Sequence, residues 1–152
     1  MAIEAPVSKF RKTNLIIYIA VCIGITLYCA YDGYFNTKFI EKHSPDNVPD
    51  TTLIFNRKAP PFFIGAVVIL GIRLFFIKNK KIIADENELV LSDKEKIAYD
   101  SIRQIDKTNF ESKGYFLITY NTENGKESDR KISDRQYDNL KAILDHLIAK
   151  IT

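Results

Sequence analysis

The side chains able to do chemistry are few and scattered. Cys22 and Cys29 stand seven residues apart, which on a helix puts both thiols on one face. A thiol pair there could approach a haem, a metal or a neighbouring subunit. A metal needs further ligands, however, and none stands at ligand spacing. The two are too far apart along a helix to bond each other, so packing as small apolar groups is their expected role. His43 shares a turn-rich stretch with Glu41 and Asp46, a composition far commoner in solvated loops than in metal sites. His146 follows Asp145 in a C-terminal amphipathic stretch and is expected on its solvated side, with no catalytic partner. The carboxylates Asp85, Glu86 and Glu88, and Asp93 with Glu95, fall among turn formers, where water satisfies them. There is no P-loop, dinucleotide-binding glycine pattern, GxSxG or HExxH. The expectation is a chain that is not an enzyme and carries no cofactor.

What must position these residues is dominated by two apolar blocks. A mean hydropathy of -0.12 describes an ordinary soluble chain and hides them. Leu15 to Tyr31 contains no charged residue, and with Asn14 it approaches the roughly 20 residues that a helix needs to cross a bilayer. Ala59 to Ile77 is interrupted only by Arg73, close enough to its end for the guanidinium to reach headgroups. A soluble core helix would carry a polar stripe, and the first block shows none. A cleaved signal peptide is the other reading of that block, but no A-x-A pattern follows it. Gly65, Ala66 and Gly71 leave small surfaces in the second block where another helix could approach.

Lysine and arginine set the expected orientation. Lys9, Arg11 and Lys12 before the first block and Arg73, Lys78, Lys80 and Lys81 at the end of the second outnumber Lys38, Lys42, Arg57 and Lys58 between them. Both termini are therefore expected in the cytoplasm, with those seven cations against lipid headgroups. From Lys78 onward fourteen basic residues meet fourteen acidic ones, which is no footprint for nucleic acid.

The expected division is a polar tail over 1–13, a span over 14–32, an extracytoplasmic loop over 33–58, a second span over 59–78 and a soluble domain over 79–152. The tail carries no motif. Within the loop, Phe35 to His43 has the spacing of a short interfacial helix. In the soluble domain, short strands are expected at Lys81 to Asp85, Glu88 to Leu91, Lys96 to Tyr99, Ile102 to Phe110, Tyr115 to Asn121 and Lys126 to Ile132. Asn124-Gly125 predicts a tight hairpin with positive φ at both positions. Ser133 with Gln136 predicts a capping box, opening a helix whose Tyr137, Leu140, Ile143, Leu144, Leu147 and Ile151 share one face.

This order, carried by Lys81-Ile82-Ile83-Ala84, Glu88-Leu89-Val90-Leu91 and Lys96-Ile97-Ala98-Tyr99-Asp100-Ser101-Ile102, resembles the bacterial pleckstrin-homology-like domains of small membrane proteins. The resemblance covers roughly residues 80 to 151 and implies a bent sheet of six or seven strands plugged by the final helix. Six strands are readable, with a seventh expected within the stretch Ile102 to Phe110 or else one edge left open. The expected class is a two-helix transmembrane hairpin followed by a small antiparallel β half-barrel capped by an α-helix. The expected function is a non-enzymatic interaction or scaffold module in the bacterial inner membrane, an accessory subunit or homo-oligomer. The alternative is a module that senses anionic lipid through Lys78, Lys80 and Lys81.

Overall fold

The computed structural model describes residues 2–92, 95–122 and 124–151. In chain order these form β1 (Ile3–Pro6), α1 (Lys9–Ala30), a π-turn (Tyr31–Phe35), α2 (Thr37–Lys42), a 3-10 turn (Pro45–Asn47) and α3 (Thr51–Ile77). There follow β2 (Lys81–Ala84), β3 (Glu88–Ser92), β4 (Glu95–Ala98), a 3-10 turn (Tyr99–Ser101), β5 (Ile102–Asp106), α4 (Phe110–Lys113), β6 (Tyr115–Asn121), β7 (Glu127–Ser133) and α5 (Leu140–Ile151). The chain divides into two compact units, one made of residues 1–12 with 77–152 and the other of 13–76.

The first unit is an α+β domain. Its strands form an antiparallel four-stranded sheet in the order β1-β2-β3-β4 and a three-stranded sheet in the order β5-β6-β7. In β2, β3 and β6 every second residue turns inward, as the pleat allows, while β5 and β7 each bury a single isoleucine, Ile102 and Ile132. Ile82 and Ala84, Leu89 and Leu91, Ile97, Phe116 and Ile118 are thereby buried against Ile143, Leu144 and Leu147 of α5.

The N-terminal stretch departs from the expected polar tail. Ile3–Pro6 pairs with Lys81–Ala84 in the register Ile3 to Ala84, Glu4 to Ile83, Ala5 to Ile82 and Pro6 to Lys81. Ala5 and Val7 are buried completely or nearly so. The seventh strand therefore comes from before the apolar helices, and the domain is not confined to 79–152. The fourth strand is also shorter than expected, stopping at Asp106, because Asp106 accepts the Thr108 amide and turns the chain into α4.

Two turn expectations are corrected. Gly125 alone of the Asn124-Gly125 pair has positive φ, 72°. The Thr122 amide donates to Lys126 O at 2.8 Å and the Gly125 amide to Thr122 O at 2.8 Å, with the glycine in the left-handed position. The Ser133 capping box does not form. Ser133 ends β7, its hydroxyl receives the Arg135 amide, and α5 begins only at Leu140 after Asn139, whose φ is 61°. The Gln136 amide, which a capping box would need, donates to Ser133 O at 2.9 Å, and the N-terminal stretch holds the turn that follows: Gln136 O accepts the Ser8 amide at 2.9 Å and the Asp138 amide donates to Pro6 O at 2.9 Å.

The second unit is built from α1, α2 and α3. Lys9–Phe35 and Thr51–Ile77, 27 residues each, are long and apolar enough to cross a membrane. Asp50 caps α3 by accepting the Leu53 amide at 2.9 Å, so helix starts well before Ala59 and the expected loop 33–58 shrinks to the segment around α2. The predicted short helix in that segment is α2, with Asn36 at its N-cap accepting the Phe39 amide at 3.3 Å.

Pro60 and Pro61 lie inside α3 and have no N–H to donate, so the carbonyls of Asn56 and Arg57 lose their helical partners. The other helix end supplies substitutes. Tyr34 Oη donates to Arg57 O at 2.9 Å, and Gly33 lies so close that a Cβ there would stand 3.1 Å from Asn56 O. Arg57 Nε returns a bond to Gly33 O at 2.9 Å. Asp32, nearly buried, accepts from Asn36 Nδ2 at 2.8 Å. These bonds hold the π-turn that closes the helical pair.

Candidate functional site: the junction of the N-terminal strand

Three polar or charged residues are buried among the described residues: Ser8, Asp32 and Asn56. Ser8 organises the most. It is 0% exposed. Its hydroxyl donates to Arg135 O at 2.7 Å and accepts the Arg11 amide at 3.2 Å, capping α1. Lys9 N donates to the Asp138 carboxylate at 3.1 Å, and Asn139 Nδ2 donates to Glu4 O at 3.1 Å. Val7 N donates to Lys80 O at 3.0 Å, which ties the short link before α1 to the residue before β2. The start of α1, the start of β2 and the turn before α5 thus meet at one point.

The cations singled out in the sequence divide accordingly. Lys9, Arg11 and Lys12 follow closely on Val7, and its bonded partner is Lys80, flanked by Lys78 and Lys81, so the structure draws these two basic stretches to one junction. Lys81 Nζ is paired with the Glu4 carboxylate. Lys9 and Lys80 are exposed, while Arg11 and Lys12 are partly covered. Arg73 belongs to the helical unit and is exposed on α3.

Ser8 and β1 escaped the sequence reading, although a signal existed. Ile3, Ala5 and Val7 alternate with Glu4 and Pro6 at the strand period, and the Ser8 hydroxyl stands three residues before the Arg11 amide that it caps.

His43 Nδ1 lies 2.7 Å from Asp50 Oδ2, and its ring centroid is 4.3 Å from that of Phe39. The Leu53 amide first, and then His43, hold the Asp50 carboxyl below its ordinary pKa. Glu41 and Asp46 do not join them in a ligand set: among the described residues no three His, Cys, Asp or Glu side chains converge on a metal position. Cys29 is buried and Cys22 half-buried, both as free thiols.

His146 is not simply solvated, because Nε2 lies 3.2 Å from Asp85 O and the ring meets Tyr99 edge-on at 6.3 Å. Tyr99 Oη donates to the same carbonyl at 2.7 Å. Burial first, and then the nearby Asp85 and Glu88 charges, push the Tyr99 phenol up to about 12.

Several open clefts mark the domain surface, among them the following two. One, about 660 Å3, is lined by Glu95, Lys96, Asp100, Ser101, Tyr120 and Asn121. The other, about 480 Å3, is lined by Phe110, Leu144 and Ile148 with Lys107, Lys141 and Asp145. Glu88 holds Lys96 above its ordinary pKa. In the first cleft the Ser101 hydroxyl donates to Ala98 O at 2.7 Å.

The fold and junction define an α+β domain whose first strand is separated from the other six by a pair of long apolar helices. Comparison with protein-family models, with curated proteins and with solved structures gave no match to this chain.

Proposed function

We propose that the chain is a membrane-anchored interaction module: α1 and α3 form a hairpin in the bilayer and hold a pleckstrin-homology-like domain at the cytoplasmic face, where it docks a protein or helps assemble a larger membrane complex. The observation that carries this is the clothing of the helices. Leu27 is 66% exposed, Phe62 77% and Ile69 68%, and apolar side chains of that size leave water only when lipid or partner helices cover them. Support comes from seven strands and a C-terminal helix, within the six or seven strands and final helix that the resemblance implies, although here the strands form two sheets and not one bent sheet. Two helices cover little of each other, so partner helices or further copies have room to pack, and Gly24, Gly65 and Gly71 have nothing within 4 Å of the position a Cβ would take.

Purification of the full chain in mild detergent tests this reading. The expected result is a particle larger than one chain, or a stoichiometric co-purifying subunit. A monodisperse monomer with no companion overturns it.

The junction favours a second reading, recognition of anionic lipid. Two basic stretches distant in sequence are drawn to one place beside the helix ends, where each Lys or Arg near an anionic surface gains about 1 kcal/mol. Positive-inside anchoring accounts for the same charges. Reconstitution into nanodiscs of phosphatidylcholine with and without phosphatidylglycerol separates the two. Slower amide exchange around Lys80 in the anionic discs supports recognition, and identical exchange removes it.

A further inference from the structure

The first strand is made before the helical pair and its partner strand after it, yet the two are neighbours in one sheet. On the reading that the pair spans a bilayer, we propose that the pairing of β1 with β2 is a topological latch: in the membrane the seven-stranded domain closes when both helices have crossed and stays open when only one has.

The connections leave no alternative route. Two residues separate Pro6 from Lys9, and three separate Ile77 from Lys81. An extended residue reaches about 3.5 Å, so neither connection can span the roughly 30 Å of a hydrocarbon core. When one helix fails to cross, β1 and β2 stand on opposite sides and cannot meet. When both cross, Val7 and Lys80 arrive on the same side, where the structure joins them by a backbone hydrogen bond at 3.0 Å.

The closed state carries interior groups that the open state lacks. Ala5 is 0% exposed within the core, and Ser8 is equally covered with its hydroxyl bonded to Arg135 O. Without β1 the Asp138 amide loses Pro6 O, the Ser8 acceptors Arg135 O and Gln136 O lose their donors, and β2 is left as a bare sheet edge. A half-inserted chain is thereby distinguished from a fully inserted one by the state of its sheet.

A cross-strand disulfide reads this directly. Glu4 and Ile83 are register partners, and neither is buried. The full chain carrying Glu4→Cys and Ile83→Cys, with Cys22→Ser and Cys29→Ser, is expressed in bacterial membranes and oxidised there. The link is expected in most of the chain. It should vanish when Val67→Lys and Ile69→Lys stop the second helix from crossing, with the one-crossing topology verified by impermeant labelling near Lys150. A disulfide that still forms in that one-crossing chain overturns the proposal, as does its absence from the two-crossing chain. The reading beneath it is tested separately: a chain that stays in the aqueous fraction after ultracentrifugation, yet forms the disulfide, removes the membrane and leaves the strand pairing.

Discussion

The two units of this protein are held by opposite means. The sheet domain hides its large apolar side chains: Phe116, Ile118, Ile132, Ile143 and Leu147 are covered almost entirely by strands and by α5. The helical pair wears its apolar side chains outside and spends its polar groups at the closed end, on Asp32, Gly33, Tyr34, Asn36 and Arg57. In water the first arrangement folds by the hydrophobic effect and the second does not. In lipid the ordering reverses, since apolar packing gives helices no solvent-driven gain and backbone bonds must be met internally. The contrast teaches that substitutions of one kind should act differently in the two units.

The largest effect is expected at Phe116. Phe116→Ala should cost the sheet domain about 3–5 kcal/mol, measured by denaturant unfolding of the full chain in detergent. Phe62→Ala, in the most exposed phenylalanine of α3, should shift nothing by more than about 0.5 kcal/mol. Equal losses at the two positions would break the comparison.

Ser8→Ala comes next. It leaves Arg135 O without its donor and strips the α1 cap, for an expected loss of about 1–3 kcal/mol in the sheet domain. Gly33→Ala transfers the same question to the helical pair. Its new methyl would meet the Asn56 backbone, which has no side-chain freedom to give way, so about 1–3 kcal/mol of overpacking is expected, read as faster amide exchange around Asn56.

The mildest test is pH. The Tyr99 phenol is raised in the folded domain, so the stability linked to it is full below the ordinary tyrosine value of about 10. That stability is lost as pH climbs through about 12, the value in the folded domain. Asp50 runs the other way. Its carboxyl is lowered, so its cap on α3 holds above the ordinary carboxylate value of about 4 and weakens as pH falls beneath it. Base should loosen the amides around Tyr99 first, and acid those of Thr52 and Leu53.

Legibility in the sequence followed the range of the interactions. The strands from Lys81 to Ser133 and the inward face of α5 could be read because their partners lie nearby and their periods are local. The N-terminal strand could not. It has four residues, one of them proline, and its Glu4 meets Lys81 across 77 positions of chain. The Ser133 capping box failed locally, since the Gln136 amide that it needs donates to Ser133 O, while the turn beyond it is held from afar by Pro6 and Ser8. At the candidate site the basic residues were visible as charges, but their meeting at Ser8 was set by that one distant strand. The helical pair shows the complementary case: its apolar blocks were plain, while the early start of α3 was missed because Asp50 as a cap sits among other turn formers.

The two prolines of α3 leave a mechanical signature. Two successive rungs are missing from the helix ladder, so bending stiffness is lowest at that level, and the rods on either side are regular. The segment Thr51–Ala59 is stitched to the π-turn by Tyr34 and Arg57 more firmly than the missing rungs tie it to the helix beyond. A sideways load on the loop around α2 is therefore expected to bend α3 first at the level of Pro60 and Pro61.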